Sequence, residues 1–245
     1  MKQPVFFTAG ETDALRHACN QLTGWGYPVS TAPSEDITHL LLPVPSFDAP
    51  GVIKGGTPVQ EVLSQLPENV TVLGGNLTGM THRHVDFLKD EYYLNENAAI
   101  TAHCTVRILL QHFSSLDNVQ VLIIGWGRIG KHLINILQDM GAHVFAAVRK
   151  ESDSEALKNL GCNAVYIHEW QPKEYQVIIN TAPAPVMDQS ETDPNTLLID
   201  LASVKGIVGD GVIWARGLPN QMAPNQSGIL IAKTALRYAL GREHV

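Results

Sequence analysis

The sequence predicts an α/β protein of two domains joined by a long helix, and three observations support this. Short apolar runs alternate with helical patterns in the first part of the chain, which is typical of a small parallel α/β layer. A Gly- and Pro-free stretch follows, and then a second alternating series begins. The predicted domains are residues 1–96 and residues 97–228, with a C-terminal helix at 229–245 that packs back on the first domain.

The N-terminal elements follow from periodicity and from where Gly and Pro interrupt it. Leu15, Ala18, Cys19 and Leu22 have helical spacing, and Gly24 or Gly26 ends that helix. Residues rich in Pro and Gly form a loop at the carboxyl side of a strand, where open α/β sheets usually bind ligands. The predicted order is strand 4–10, helix 11–26, strand 38–47 with the loop 45–58, helix 58–66 and strand 70–76.

The long helix is predicted over "NAAITAHCTVRILLQHF", residues 97–113, which would extend roughly 25 Å. Asn95 or Asn97 is expected to cap it. The preceding "KDEYY" is acidic and aromatic, and we interpret it as a solvated turn. The second series then predicts strands at 119–124, 143–148, 177–179, 197–200 and 212–214, with helices between them.

Bulk composition narrows the class of function. A net charge of −7 and a pI near 5.8 argue against general binding to nucleic acids or anionic membranes. Three separated cysteines without C-x-x-C indicate neither a disulfide framework nor a zinc knuckle, and no histidine spacing indicates a metal site. Without a signal peptide or a long apolar stretch, we expect a soluble cytoplasmic protein.

The segment "VLIIGWGRIG", residues 121–130, contains G-x-G-x-x-G directly after an apolar strand. A helical pattern and a second strand, "HVFAAV", complete a βαβ unit, which makes the motif more specific than its glycines alone. We expect Gly125 to make the tight turn and Gly127 to let the backbone approach a pyrophosphate. Gly130 should let helix and strand pack closely, and the helix N-terminus attracts the anion. The motif predicts a Rossmann dinucleotide-binding domain.

The end of the second strand reads "AAVRKESD", and this position selects the cofactor. Domains specific for NAD usually have an acidic residue here for the ribose hydroxyls. Arg149 and Lys150 occupy it instead, and a guanidinium can bind a 2′-phosphate bidentately. We therefore expect NADP, with NAD still possible because Glu151 or Asp153 could reach the ribose.

Three further segments follow strands and are predicted to meet at one edge of the sheet. "VIINTAPAPV" ends with Thr181 and a turn stiffened by Pro183. "LLIDLASVKG" contributes Ser203 and Lys205, while Asp200 is expected to act as an orienting acceptor. "GLPNQMAPNQSG" leads into the final helix.

In this order, "LLLPVP", "NAAITAHCTV", "VLIIGWGRIGKHL", "INTAPAPV", "IDLASVKG" and "GLPNQMAPNQSGILIA" resemble the A subunits of dipicolinate synthase. The resemblance covers most of the chain. It implies a flavodoxin-like N-terminal domain before the Rossmann domain, and NAD(P)-linked oxidation or reduction of a dihydro- or hydroxytetrahydro-dipicolinate. It also implies a partner in the form of a flavoprotein-like B subunit, together with a homodimer and a role in sporulation in the mother-cell cytoplasm.

The chain departs from that family's pattern at several positions. An acidic residue in the long helix is replaced by His103, and Val204-Lys205-Gly206 stands where Pro-Gly-Gly is usual. Asn220 follows Pro219 where Gly is usual. These departures leave two alternatives open: a non-catalytic nucleotide-binding regulatory or partner protein, and a 2-hydroxyacid-dehydrogenase-like enzyme. The second lacks the usual Arg, acid and His set in suitable order.

The expected site residues fall into three groups. His103 could relay a proton or simply pack as a helix histidine, and Lys205 could bind a carboxylate or be an ordinary surface lysine. Catalysis is assigned to His103, Ser203 and Lys205, and substrate binding to Thr101 and Asn225, although Thr101 could instead bond its own helix. Cofactor contacts are expected from Gly125, Trp126, Gly127, Arg128, Ile129, Gly130, Arg149, Lys150, Thr181, Ala182, Pro183 and Ala202, and no metal ligand is expected.

Overall fold

The computed structural model describes residues 3–166 and 169–241. The chain divides into two compact units. Unit 1 contains the described residues up to Asn97 together with those from Pro219 onward, and unit 2 is Ala98–Leu218. Unit 1 is therefore assembled from two separate parts of the sequence.

The elements of the N-terminal half end in the long helix α3, inside which the boundary between the units falls. In chain order they are β1 (Phe6–Thr8), α1 (Asp13–Gly24), β2 (Val29–Ser30), β3 (His39–Leu41), β4 (Phe47–Ala49), β5 (Val52–Ile53), α2 (Val59–Leu63), β6 (Thr71–Gly74), β7 (His84–Asp86) and α3 (Glu91–His112).

The elements of the C-terminal half form the second α/β series and the last helix. They are β8 (Gln120–Ile124), α4 (Arg128–Asp139), β9 (His143–Val148), α5 (Glu151–Asn159), β10 (Asn163–Tyr166), β11 (Val177–Asn180), β12 (Met187–Asp188), β13 (Leu197–Asp200), β14 (Ile207–Val208), β15 (Val212–Trp214), α6 (Leu218–Met222) and α7 (Pro224–Ala239).

Unit 1 contains a five-stranded parallel sheet in the order β2-β1-β3-β6-β7. Counting only its own strands, this is the order 2-1-3-4-5 of flavodoxin-like folds. Leu40, Leu42 and Val72 belong to the apolar cluster beside α2. The flavodoxin-like class predicted for this part of the chain is confirmed.

Helix α7 packs against α1 through a glycine. A Cβ added at Gly228 would lie 2.5 Å from the His17 Cβ and 2.7 Å from the Ala14 carbonyl oxygen. Real Cβ atoms do not approach other atoms so closely, so the two helices touch backbone to backbone. Through this contact, α7 completes the core of unit 1.

The other end of α7 is held by a buried ion pair. Asp90 Oδ2 accepts hydrogen bonds from Arg237 and, at 2.6 Å, from the Tyr238 hydroxyl, while its Oδ1 accepts at 2.7 Å from the Tyr93 N–H. Burial raises the pKa of Asp90, but the bonds from Tyr238, Tyr93 and Arg237 outweigh it and leave the pKa below its usual value. One carboxylate therefore joins the start of α3 to the end of α7.

Unit 2 contains a six-stranded, all-parallel sheet in the order β10-β9-β8-β11-β13-β15. Renumbered within the unit, this is 3-2-1-4-5-6, the order of the Rossmann dinucleotide-binding fold. The strand order reverses between β8 and β11, so their carboxyl ends border a crevice of the kind where such folds bind ligands. The predicted Rossmann class is confirmed.

Several predicted elements differ from the structure. Glu91–Tyr93 form the first turn of α3 instead of a solvated turn, because Asp90 accepts the Tyr93 N–H. Asn95 and Asn97 therefore lie inside the helix and do not cap it. The loop 45–58 contains the short antiparallel pair β4–β5, and strands β2, β7, β10, β12 and β14 were not predicted. The C-terminal helix runs Pro224–Ala239, and residues 242–245 of the predicted helix lie outside the described residues.

His39 at the start of β3 gives a test of pH dependence. Burial, and to a lesser extent the positive charge of Arg83, lower the pKa of His39 to about 4. The unfolded chain, with a histidine pKa near 6.5, binds more protons than the folded chain between these values. The contribution of His39 to the free energy of unfolding is therefore fully present above about pH 6.5 and is lost as the pH falls toward 4. We expect the urea midpoint to fall across this range, and to fall less steeply in His39→Gln. The offset between the two proteins at pH 8 measures lost packing, and parallel curves would contradict the prediction.

Candidate functional site

The glycine turn begins where β8 ends. Gly125 has a φ of +106°, a backbone conformation that residues other than glycine rarely adopt. A Cβ there would also lie 2.7 Å from the Thr181 hydroxyl oxygen. The Gly125 N–H donates to the Ala147 carbonyl at 3.2 Å, which ties the turn to the end of β9. The ends of β9 and β11 therefore fix the geometry of this turn.

The other two glycines of the motif differ in their surroundings. A Cβ on Gly130 would lie 2.3 Å from the Gly125 carbonyl oxygen, so Gly130 permits the close packing of α4 on the turn. A Cβ on Gly127 would meet nothing within 4 Å. Gly127 precedes α4 without any side-chain cap on the helix. The open space and the positive end of the helix dipole together fit a pyrophosphate.

Trp126 lies between the first two glycines and is half-buried. The Lys131 Nζ lies 5.2 Å from the centroid of its ring, within the range of a cation–π contact. Lys131 belongs to the second turn of α4, so this contact fixes the indole relative to the helix N-terminus. Arg128 and Ile129 form the first turn of the same helix.

A cavity of about 430 Å³ opens beside the turn, within unit 2. Its size suits part of a dinucleotide. The lining combines the glycine turn, the end of β9 and the loop after β11. The lining residues are Ile124, Gly125, Trp126, Ala147, Val148, Arg149, Lys150, Asp153, Trp170, Ala182, Ala184, Pro185 and Val186.

Charged residues gather where β9 leads into α5. Arg149 and Lys150 are exposed side chains that line the cavity. Helix α5 starts at Glu151 with no side-chain cap, so its N-terminal N–H groups add positive potential. Asp153 also lines the cavity, whereas Glu151 is exposed and is not among the lining residues. Of the two acids considered for the ribose, Asp153 therefore lines the cavity and Glu151 does not.

The loop after β11 is held by its polar residues. The Thr181 hydroxyl donates to the Ile124 carbonyl at 2.9 Å, joining the ends of β11 and β8. Asn180, fully buried, accepts from the Ala182 N–H at 2.9 Å and donates to the Asp200 carboxylate at 3.1 Å. Ala182 lines the cavity, whereas Thr181 and Pro183 are not among the lining residues. Thr181 therefore acts here as a tie between strands.

Asp200 is fully buried at the end of β13 and accepts four hydrogen bonds. Oδ1 accepts from Asn180 Nδ2 at 3.1 Å and from the Ala202 N–H at 3.0 Å, and Oδ2 accepts from the Gly206 and Ile207 N–H groups at 2.6 and 2.9 Å. This agrees with the orienting role expected of it. The Val186 N–H in turn donates to the Gly206 carbonyl at 2.8 Å, so the carboxylate links two loops.

Ser203 and Lys205, the predicted catalytic residues of the loop after β13, are both exposed. Ser203 follows Ala202, and the Lys205 Nζ donates to the Gly209 carbonyl at 3.2 Å. Ser203, Lys205 and Ala202 are not among the residues that line the cavity. Their neighbour Gly206 is confined, because a Cβ there would lie 2.4 Å from the Ala184 carbonyl oxygen. The loop is thus fixed in position while the side chains of Ser203 and Lys205 are exposed to solvent.

The predicted residues of α3 lie on different faces of that helix. His103 is exposed, whereas Thr101 is buried and its carbonyl accepts the Thr105 hydroxyl at 2.9 Å. Cys104 is buried, and burial raises its thiol pKa, as fits a packed cysteine. Asn225 is exposed in the first turn of α7, which belongs to unit 1. The structure does not bring these residues into the cavity lining.

Trp170, Ala184, Pro185 and Val186 line the cavity but were not predicted. Ala184, Pro185 and Val186 end the segment "VIINTAPAPV" but were not assigned as site residues, and Trp170 lies outside any motif, in an irregular segment before β11. An isolated large aromatic residue beside a predicted cofactor strand was the available signal. Across residues 3–166 and 169–241, no three His, Cys, Asp or Glu side chains are grouped so that they could hold a metal. In the same ranges, no helix is long and apolar enough to cross a membrane.

Comparison with known proteins agrees with this geometry. Residues 103–185 match the model of the NAD binding domain of D-isomer specific 2-hydroxyacid dehydrogenases. The chain is also similar to the A subunit of dipicolinate synthase from Bacillus subtilis (strain 168). The two are 25% identical over 228 residues, which cover 84% of this chain and 76% of that protein.

Solved structures of that protein share the fold. The dipicolinate synthase A chain from Bacillus subtilis has a TM-score of 0.82 at 20% identity, covering 99% of this chain and 97% of that chain. Its counterpart from Bacillus halodurans has a TM-score of 0.81 at 19% identity, covering 96% and 97%. The predicted resemblance is confirmed, and unit 2 has the fold of a nicotinamide-cofactor-binding domain.

The different surroundings of Gly127 and Gly130 lead to a prediction about the free energy of unfolding. Gly130→Ala should lower the free energy of unfolding by about 1–3 kcal/mol, because the new methyl group collides with the Gly125 carbonyl. Gly127→Ser is the matched variant: the space is open and serine is a favourable N-cap, so stability should change by less than about 0.5 kcal/mol. Urea unfolding followed by circular dichroism measures both. Equal losses in the two variants would contradict the assigned roles.

Proposed function

We propose that this chain is an NADP-dependent oxidoreductase of the same type as the A subunit of dipicolinate synthase. Its substrate would be a dihydro- or hydroxytetrahydro-dipicolinate, a small cyclic dicarboxylate, in the synthesis of dipicolinic acid during sporulation. The observation that carries the proposal is the cavity in which the glycine turn meets Arg149 and Lys150. The similarity to dipicolinate synthase supports the choice of substrate class.

The residues present fit a dinucleotide. A pyrophosphate would lie against Gly127 and the N-terminus of α4, which has no side-chain cap and is the positive end of the helix dipole. The bound nicotinamide would supply hydride transfer at its C4 atom. Gly125, Trp126 and Ala182 would form the adjoining surface, and Arg128 and Ile129 would contribute backbone N–H groups of the first helical turn.

The preference for NADP rests on charge. Arg149 and Lys150 would bind the 2′-phosphate together with the uncapped start of α5. Asp153 on the same wall favours the opposite choice, because a carboxylate accepts hydrogen bonds from ribose hydroxyls and repels a phosphate. Two cations against one anion favour NADP, and Asp153 keeps NAD binding possible.

The substrate carboxylates require donors and positive charge. Ser203 and Lys205 would supply both, since they are exposed on a loop fixed by Asp200. Lys205 would give up its weak bond to the Gly209 carbonyl, 3.2 Å away, for the stronger charge-assisted bond. His103 would move the proton that accompanies hydride transfer. Thr101 and Asn225 would add hydrogen bonds to the substrate, and Pro183 and Ala202 would border the nicotinamide.

A second candidate is a nucleotide-binding partner protein with little catalysis of its own. It is favoured by two departures from the family pattern, His103 in place of an acid and Val204-Lys205-Gly206 in place of Pro-Gly-Gly. A flavoprotein-like B subunit would then carry the chemistry. The homodimer and the mother-cell cytoplasm also remain proposals that rest on the family resemblance.

Cofactor preference is tested by Arg149→Ala. Loss of a charge-assisted contact to the 2′-phosphate should weaken NADPH binding by about 10- to 100-fold and change NADH binding by less than about 3-fold. The control is Lys158→Ala, which removes a positive charge from the far end of α5 and should change neither affinity. Titration calorimetry measures both ligands. Equal losses of NADPH and NADH affinity in Arg149→Ala would show that the NADP assignment is wrong.

Catalysis is tested by turnover of the freshly generated dihydro- or hydroxytetrahydro-dipicolinate with NADP(H), with and without a B subunit. Lys205→Met should lower kcat/KM by about 10- to 100-fold while NADPH affinity stays unchanged. Lys233→Met, which removes an exposed lysine of α7, is the control. Cofactor binding without turnover in both conditions would reject the enzyme.

A further inference from the structure

Trp170 lines the cavity together with Pro185 and Val186, and we call these three residues the apolar wall. Trp170 and Val186 also pack against the apolar cluster of unit 2 that contains Ala147 and Tyr175. Both side chains therefore contact the core and the cavity at once, so the core fixes the apolar wall.

The positions of the other lining residues restrict what the apolar wall can contact. The glycine turn at Gly125 and Trp126 adjoins the helix terminus that suits a pyrophosphate. Arg149 and Asp153 mark the ribose position at the end of β9. In a dinucleotide, the adenine is the group attached to that ribose, so it must lie against the part of the lining that these residues leave free.

We propose that Trp170 is the residue that binds the adenine ring of the dinucleotide, face against face, with Pro185 and Val186 closing the apolar wall around it. This inference rests on the proposed function, because it requires that the chain binds a dinucleotide. It adds a residue for which the glycine motif gives no signal. A flat, apolar base loses water on leaving solvent and gains an aromatic surface, which is the usual source of base binding without hydrogen-bond readout.

The first experiment compares Trp170→Leu and Trp170→Phe with the wild-type protein, using NADH and ADP-ribose as ligands in titration calorimetry. ADP-ribose contains the adenosine half and lacks the nicotinamide. Trp170→Leu keeps an apolar side chain against the core but removes the ring, and should weaken both ligands equally, by about 5- to 150-fold. Trp170→Phe should restore both affinities to within about 3-fold of wild type.

A second measurement avoids any loss of packing. At saturating ADP-ribose, indole fluorescence should be quenched in the wild-type protein and in Trp126→Phe, where Trp170 is the remaining tryptophan among the residues that line the cavity. This quenching should be largely absent when Trp126→Phe is combined with Trp170→Phe. Trp25→Leu is the control, since Trp25 is 39% exposed and belongs to unit 1. It should leave ligand affinity and quenching unchanged.

Three results would overturn the inference. Unchanged affinities in Trp170→Leu would exclude contact with the base, as would quenching in Trp126→Phe that persists when Trp170→Phe is added. Loss of NADH affinity with ADP-ribose unaffected would assign Trp170 to the nicotinamide half instead. In each of these cases dinucleotide binding itself still stands. If the wild-type protein binds neither NADPH nor NADH, the proposed function fails together with the inference.

Discussion

The site depends on the Asp200 carboxylate. Each of its oxygens accepts two hydrogen bonds, and the donors belong to the ends of β11 and β13 and to the start of β14. A buried carboxylate without partners would be strongly unfavourable, so these donors are required for the fold as well as for the loops. Asp200 therefore fixes the position of two loops relative to each other. One is the loop after β11, which contributes Ala182 and Val186 to the cavity. The other is the loop that carries Ser203 and Lys205.

The cavity beside these loops combines constraints of different kinds. Sterics set the glycine turn, where Gly125 needs a positive φ and Gly130 needs the absence of a Cβ. The constraint at the end of β9 is electrostatic, because the positive charge of Arg149 and the negative charge of Asp153 line the same cavity. Only the steric part is specific to a pyrophosphate-binding turn. The electrostatic part is what distinguishes one dinucleotide from another.

The sequence predicted the elements that repeat regular patterns. Both alternating series and the glycine turn follow from local periodicity and from βαβ spacing, whereas the flavodoxin-like class of unit 1 was implied by the family resemblance. The start of α3 was missed because Glu91 and Tyr92 look solvent-exposed, and the contacts that order them come from Asp90 and from Arg237, far along the chain. Strands β12 and β14 and the position of Trp170 were missed for the same reason: tertiary contacts, and no local motif, determine them.

The discontinuity of unit 1 has a consequence for biosynthesis. Residues of α1 leave the ribosome early, but their partner α7 follows only after all of unit 2 has been translated. Gly228 cannot meet Ala14, nor Arg237 meet Asp90, until then. Unit 2 is contiguous and can fold as soon as it emerges, whereas α1 must wait with the side that α7 will cover still exposed. Synthesis of unit 1 therefore begins before unit 2 and is completed only after it, and in the meantime the surface of α1 that contacts α7 is open to aggregation.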